Sequence, residues 1–237
     1  MRRALALSAL LGMVVLAGCT GGAVNQAALQ KNATYDWNTS AAVTVNASTS
    51  QYRAVYTLEN DSSVRLSLHD ELGGTQPIAI SAVKFRYPNG TVVGADALDV
   101  SEQNRETVVT FPAREGKFAY TADSGPRNVL LPVVTNRSHE VSLPPGMRVS
   151  LPIVGGVTPG GYETRLSGDR VVVTWESVER GPISIDYYYE RDLVLFGALV
   201  LVLVLVAAAG AAYYYSMIGR LADQREAAGL DVEDEDS

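Results

Sequence analysis

Between residues 43 and 190 the chain is a succession of short apolar or alternating segments. Residues 63–69 and 184–187 alternate apolar and polar positions, which is typical of half-buried strands. Other segments of similar length are rich in β-branched and aromatic residues: 51–58, 78–87, 107–111, 117–121, 129–135, 139–143, 148–153 and 170–175. No helix-length period precedes residue 193. The pattern predicts a mainly β fold, an antiparallel β-sandwich over residues 34–190.

Clusters of Gly, Pro and Asn separate these segments and predict turns. The spacing leaves open one sandwich or two small stacked sandwiches, with a seam near residues 136–138 in the second case. Residues 155–161 contain four glycines and one proline and predict a long exposed loop. Because loops on rigid sandwiches often bind ligands, this loop is a candidate binding segment.

Residues 193–218 form an uncharged apolar run of 26 residues. As a helix the run is about 39 Å long, against a hydrocarbon core of about 30 Å. Tyr213, Tyr214 and Tyr215 occupy one end of it, where an aromatic belt meets the membrane interface. We therefore predict one retained C-terminal transmembrane helix, followed by an acidic cytoplasmic tail over residues 219–237.

The N-terminus has the pattern of a lipoprotein export signal. Two arginines precede an uncharged stretch, residues 4–17, and a Leu-Ala-Gly sequence leads into Cys19, the single cysteine of the chain. A lone thiol at this place predicts lipid attachment at Cys19 after removal of residues 1–18, and residues 19–33 then form a lipidated tether. The alternative is an ordinary signal peptide followed by a buried cysteine.

Six of the nine asparagines begin the acceptor pattern for N-glycosylation, Asn-x-Ser/Thr without proline. All six lie between the export signal and the apolar run: Asn32, Asn38, Asn46, Asn60, Asn89 and Asn136. Turn chemistry alone explains one or two of them, such as the Pro-Asn-Gly-Thr sequence at Asn89. Six matches in one segment favour glycosylation of an exported, extracellular domain.

Composition and spacing argue against several kinds of site. The formal net charge is −7 and neither the domain nor the tail is basic, so a nucleic-acid surface is not expected. One cysteine allows no disulfide within the chain, and with His69 and His139 it cannot supply a common zinc site. Asp96 and Asp99 are a weak calcium pair. We expect no cofactor and no metal.

No constellation of residues predicts a reaction, and we expect no catalytic residue. The Asp-Ser-Gly-Pro sequence at residues 123–126 superficially resembles the nucleophile segment of chymotrypsin-like proteases. It lacks the flanking glycines, however, and is better explained as a tight turn. The alternative is a hydrolase of envelope glycans or peptides with its site near residues 155–161 and with Asp169, Glu163 and Glu176 as its carboxylates.

Several segments carry a resemblance to a known family: NATYDWN from Asn32, KFRYPNGTVV from Lys84, LPPGMRV from Leu143, PGGYET from Pro159 and ERD from Glu190. Through them the chain resembles uncharacterised haloarchaeal membrane lipoproteins that are grouped as a domain of unknown function. The resemblance implies an archaeon of extreme salt and a diether lipid on Cys19. It carries no catalytic residue, because the family has no assigned activity.

These features favour a non-enzymatic cell-surface lipoprotein, held by a lipid at one end and a single-pass helix at the other. We expect it to be a binding, accessory or structural subunit of the archaeal envelope. Its expected partners are the membrane and an unidentified envelope protein. Two alternatives stay open: the hydrolase, and a signalling accessory whose acidic residues 231–236 dock a cytoplasmic partner.

Overall fold

A computed structural model describes residues 24–69, 74–133, 136–149, 155–179 and 181–227. These residues form helices α1 (Gln26–Leu29) and α2 (Glu190–Ala227) and a 3-10 helix at Ala95–Ala97. Their strands are β1 Val43–Ala47, β2 Gln51–Glu59, β3 Ser63–His69, β4 Thr75–Pro77, β5 Ile80–Arg86, β6 Val92–Val93, β7 Asp99–Gln103, β8 Glu106–Thr110, β9 Glu115–Asp123, β10 Asn128–Leu131, β11 Arg137–Ser142, β12 Met147–Arg148, β13 Gly156–Thr158, β14 Glu163–Ser167, β15 Arg170–Val178, β16 Ile183–Asp186 and β17 Tyr188–Tyr189. The mainly β fold is confirmed.

The strands form a large sheet and three smaller ones. The large sheet has eight strands in the order β14-β15-β11-β1-β2-β9-β5-β6, and a four-stranded sheet has the order β4-β3-β8-β7. Strands β10, β16 and β13 form a third sheet, and β12 pairs with β17. Neighbours in the large sheet are antiparallel except β1 and β11, which run parallel. The predicted antiparallel sandwich is therefore right, with one parallel pair inside it.

The described chain has no break at residues 136–138, where a seam was considered. Strand β11 starts at Arg137 and pairs directly with β1, so segments from both sides of that position share the large sheet. Contacts group the residues up to Tyr188 in one compact unit, which we call the β-unit, and those from Tyr189 onward in a second.

An aromatic core covers one face of the large sheet, the inner face. Strands β2 and β9 alternate, so Tyr56, Phe118 and Tyr120 point to the same side and are at most 3 % exposed. The ring centroids of Tyr56 and Tyr120 are 5.8 Å apart, and those of Phe118 and Tyr120 are 5.6 Å apart. Phe111, one residue beyond β8, packs 5.2 Å from Phe118. This contact joins the four-stranded sheet to the inner face.

The opposite, outer face is crossed by residues 26–40, which we call the N-terminal strap. Leu29 is 2 % exposed, and Tyr35 packs on Val55 and Ala119 of the outer face. Lys117 donates to the backbone oxygen of Trp37 at 2.7 Å. The described part of the predicted tether, residues 24–33, is therefore docked on the β-unit.

The predicted loop at residues 155–161 contains a strand instead. Gly156–Thr158 is β13, whose residues pair antiparallel with β16 from Asp186 back to Ser184. A run rich in glycine and proline predicts a loop. This segment is nevertheless a strand, because its backbone groups bond to β16 and such bonds do not depend on the side chains.

Helix α2 contains the whole predicted span, residues 193–218, and extends beyond both of its ends. Residues Glu190–Arg225 have a mean hydropathy of 2.9 in their most apolar window, none of which is buried within the protein. Among the residues that the structure describes, one helix is long and apolar enough to cross a membrane. The helix continues beyond the predicted end at Ile218, so the described part of the predicted tail begins as helix.

Candidate functional site

All six sequon asparagines lie on the surface of the β-unit. In four of them the side-chain oxygen accepts a hydrogen bond: Asn32 from Lys84 at 3.0 Å, Asn46 from Arg170 at 2.9 Å, Asn60 from Arg114 at 3.4 Å, and Asn89 from the Thr91 amide at 3.0 Å. None of these four bonds uses Nδ2, the atom that carries an N-linked glycan. The structure thus presents every predicted acceptor to solvent.

Two sequons meet through their middle residues. Asp61 follows Asn60 and Arg137 follows Asn136, and the Arg137 guanidinium lies 2.8 Å from the Asp61 carboxylate. Arg137 also donates to the Thr57 backbone oxygen at 2.9 Å. Both asparagines adopt positive φ, 68° and 58°, a conformation that asparagine tolerates better than most residues. The ion pair joins the two sequons at the same edge of the β-unit, although 76 residues separate its members.

Strand directions place the turn sequons at one end of the large sheet. Strands β2 and β5 are each antiparallel to β9, so they end at the same side, and Asn60 and Asn89 follow their last residues. Strand β11 is parallel to β1, which is antiparallel to β2, so β11 begins at that side, just after Asn136. We call this side the sequon end. Asn38 lies near it, because neighbouring Trp37 accepts from Lys117, near the start of β9.

Asn32 and Asn46 lie on the outer face instead. Asn32 is held beside Lys84 in β5 by the strap, and Asn46 is the fourth residue of β1. Arg170 binds Asn46 and the Leu143 backbone oxygen, at 2.9 and 3.1 Å, and so ties β15 to β1 and to the end of β11. Sequence reasoning assigned no role to Arg170, because its partners are more than 25 residues away.

Tyr35 is the main side chain by which the strap is anchored. Its hydroxyl donates to the Ala82 backbone oxygen at 2.7 Å and lies 2.9 Å from the Thr121 hydroxyl. Ala82 has a φ of 53° and sits where the register of β5 against β9 shifts, which is a β-bulge. Burial raises the pKa of Tyr35 to about 12, so the hydroxyl remains protonated at neutral pH. The strap therefore satisfies the carbonyl that the bulge takes out of the ladder.

The two histidines lie in different environments. His139, on β11, is 1 % exposed; its Nδ1 lies 2.8 Å from the Arg137 backbone oxygen, and Nε2 is buried without a hydrogen-bond partner. Burial lowers the pKa of His139, against the opposite effect of that bond, so the ring is neutral at pH 7. His69 is the last residue of β3. Among the described residues, no three His, Cys, Asp or Glu side chains are grouped to hold a metal.

The three carboxylates of the hydrolase alternative do not all lie together. Glu163 starts β14 opposite Thr174, whereas Asp169 is in the turn that joins Ser167 to Arg170. Five strand positions separate the two, or about 17 Å at roughly 3.4 Å per residue. Glu176 lies beyond Thr174, on the side away from the turn. Asp169 is therefore separated from the other two carboxylates, whereas Glu163 and Glu176 lie diagonally across β14 and β15 at the open end of the hairpin.

The two tryptophans differ in depth. Trp175 is 1 % exposed and donates to the Pro159 backbone oxygen at 3.0 Å, so it belongs to the core. Trp37 is partly buried in the strap, with its ring 5.9 Å from that of Tyr35. Cys19 and the acidic residues 231–236 lie outside the described residues.

A comparison with protein families shows which family the chain belongs to. A family of unknown function, DUF5803, matches residues 37–233. The chain belongs to this family. The DUF5803 match begins in the strap at Trp37 and includes both the β-unit and helix α2, so the two are parts of one family architecture. No curated protein and no solved structure matches the chain.

Membership in DUF5803 confirms the resemblance to a domain of unknown function, and it assigns no activity. The match starts two residues after Tyr35, so the main anchor of the strap precedes it. The sequence signal that would have found Tyr35 is weak: Tyr-Asp-Trp alternates aromatic and polar side chains over three residues.

Proposed function

We propose that this DUF5803 protein is a non-enzymatic cell-surface lipoprotein, an accessory or structural subunit of an archaeal envelope. Its β-unit stands outside the cell, a thioether-linked lipid on Cys19 holds its N-terminus, and helix α2 spans the membrane. The acidic C-terminus then lies in the cytoplasm. The glycans on its asparagines are those of an exported domain.

The observation that carries this proposal is the exposure of all six sequon asparagines in the unit that precedes a spanning helix. Acceptors for a sugar transferase must reach solvent, and they must lie on the exported side of the membrane. Arg220 and Arg225 follow the apolar run, which favours a cytoplasmic C-terminus.

The lipid has a different role from the helix. Lipid chains hold a protein to a membrane less firmly than a spanning helix, whose insertion is effectively irreversible. We infer that lipid on Cys19 serves to position the β-unit. Cys19 lies five residues before Val24, the start of the described chain. The strap begins two residues later and is bonded to the outer face.

Intact mass of the membrane-extracted protein tests this anchoring. We expect a mature chain that starts at Cys19, keeps its C-terminal helix, and is heavier by one lipid and several glycans. Cys19→Ser should lose the lipid mass, and each sequon Asn→Gln change should remove at most one glycan. Asn104→Gln, at an exposed asparagine outside any sequon, is the matched control and should leave the mass of the glycans unchanged. A chain that retains Met1 contradicts the proposal.

Proximity labelling from the outer face tests the accessory role. A labelling enzyme attached near the sequon end should repeatedly modify the same membrane protein in independent preparations. The same enzyme fused to helix α2 without the β-unit is the control for random neighbours. Recovery of a random sample of surface proteins in both cases contradicts a specific envelope partner.

A further inference from the structure

The chain leaves the β-unit at the end of the large sheet opposite the sequon end. Strands β1, β9 and β11 finish at this opposite end, as their directions require. The Gly146 amide, just before β12, donates to the backbone oxygen of Asp169 at 2.9 Å. Asp169 lies in the turn between β14 and β15, which is at the same end of the sheet. Strand β12 pairs with β17, which contains Tyr188, the last residue of the β-unit. We call this side the exit end.

A second contact, independent of the pairing of β12 with β17, also places the C-terminal end of the β-unit at the exit end. The Tyr187 amide donates to the Arg127 backbone oxygen at 2.9 Å, and Arg127 lies four residues beyond the end of β9 at Asp123. Strand β10 then pairs with β16 in a register that sets Asn128 against Asp186. Two separate parts of the fold therefore hold residues 186–188 at the same end of the sheet.

The connection from the exit end to the apolar helix is very short. Strand β17 ends at Tyr189, helix α2 begins at Glu190, and the uncharged run begins at Leu193. The five steps from Tyr188 to Leu193 span about 8 Å as helix and at most about 18 Å fully extended. The headgroup layer on each side of the hydrocarbon is itself about 5–8 Å thick.

We propose that the exit end of the β-unit rests on the phospholipid headgroup layer. This inference depends on the proposed function, because it requires α2 to span the membrane and the β-unit to be exported. The contact surface consists of four turns, at residues 48–50, 125–127, 145–146 and 168–169, each with at least one exposed residue. Ser50, Arg127 and Asp169 are exposed in these turns, and none of the four turns carries a sequon asparagine.

Charge at this surface fits zwitterionic as well as anionic headgroups. Arg127, Asp123 and Asp169 are exposed, so charges of both signs are present at this end. Arg148 lies 3.9 Å from Asp169, which partly neutralises that turn. The contact therefore depends on the short connection rather than on a net charge, and salt should weaken it little.

The sequon end must then be the part of the β-unit farthest from the membrane. Strand β2 runs from the exit end to the sequon end over nine residues, Gln51–Glu59. Eight steps of roughly 3.4 Å put the two ends of this strand about 27 Å apart. Glycans on Asn60, Asn89 and Asn136 then project away from the contact between the exit end and the lipid. Asn46, one residue before the end of β1, is exposed on the outer face, so a glycan there borders the contact surface.

A matched pair of cysteines tests the contact in the full-length protein. Ser50→Cys lies in the exit-end turn between β1 and β2, and Glu115→Cys starts β9 at the sequon end, opposite Glu59. Both positions are exposed, and neither belongs to a sequon. Each variant is labelled with a fluorophore and reconstituted in vesicles of phosphatidylglycerol and phosphatidylcholine whose headgroups carry a nitroxide quencher. The unmodified chain controls for labelling at Cys19.

We expect the fluorophore at position 50 to lose most of its emission to the headgroup quencher and the one at position 115 to lose little. Equal quenching at both positions, or stronger quenching at 115, overturns the contact while leaving the proposed function standing. A membrane-impermeant maleimide added to intact cells separates the two ideas. If it labels neither cysteine, the β-unit is not exported, and the proposed function fails together with this inference.

Discussion

Replacing Gly116 by alanine is expected to destabilise the β-unit by about 3–5 kcal/mol, the largest effect of a single methyl group that the structure indicates. Gly116 has a φ of 139°, which side chains other than glycine rarely adopt. A Cβ there would lie 2.5 Å from the Arg86 backbone oxygen and 2.8 Å from the Phe85 ring. Both belong to β5, the strand paired with β9, and Phe85 is fully buried, so neither can withdraw without breaking the sheet.

Denaturant unfolding of the full-length chain in detergent measures this effect, with the fluorescence of buried Trp175 as the signal. Gly94→Ala is the matched control, since its φ is −96° and no atom lies within 4 Å of the added Cβ. We expect that variant to differ from the parent by less than about 1 kcal/mol. Equal stability of the two alanine variants would show that the approach of β5 to Gly116 is looser than described.

Removing the Tyr35 side chain is expected to cost about 3–5 kcal/mol, as for other buried aromatic residues changed to alanine. The ring packs on Val55 and Ala119 beneath the strap, and the hydroxyl binds the Ala82 carbonyl. Tyr35→Phe keeps the packing but leaves that buried carbonyl without its donor, so its cost should be about 1–3 kcal/mol. The same unfolding measurement separates the packing from the hydrogen bond.

Tyr162→Phe is the control for the Tyr35 substitutions, because it removes a hydroxyl from a tyrosine that is 38 % exposed. Its effect should stay within about 0.5 kcal/mol. If Tyr35→Phe is also neutral, the strap does not stabilise the bulge at Ala82. Proteolysis before Trp37 adds a second readout, since a released strap exposes residues 26–40 to cleavage while the sheets remain folded.

Residue alternation predicted the interior strands well. Residues 63–69 alternate because one side of β3 is buried and the other is not, and the strand has those limits. Strand β14, in contrast, was not predicted. All five of its residues are exposed, so burial imposes no alternation on the sequence, and it exists because its backbone pairs with β15. Strand β7 is missed for a similar reason, with one buried residue in five.

The candidate sites also divide into those that a local sequence pattern predicts and those that only the folded structure brings together. A sequon is a local pattern of three residues, so sequence finds all six, and an apolar run identifies a spanning helix because hydrocarbon excludes charge along its whole length. The bond from Tyr35 to Ala82 joins residues 47 apart, and the Asp61–Arg137 pair joins residues 76 apart. No local pattern specifies such distances.

By itself, the sequence determined the β class of residues 34–190, the apolar helix after them and the positions of the sequon asparagines. Each is a property of consecutive residues, namely side-chain alternation, hydropathy and a three-residue motif. Only the tertiary structure decided that the strap packs on the outer face and that three sequons share the end opposite the chain exit. Those facts follow from strand direction and register, which are set by which strands pair, and pairing depends on the packing of the whole β-unit.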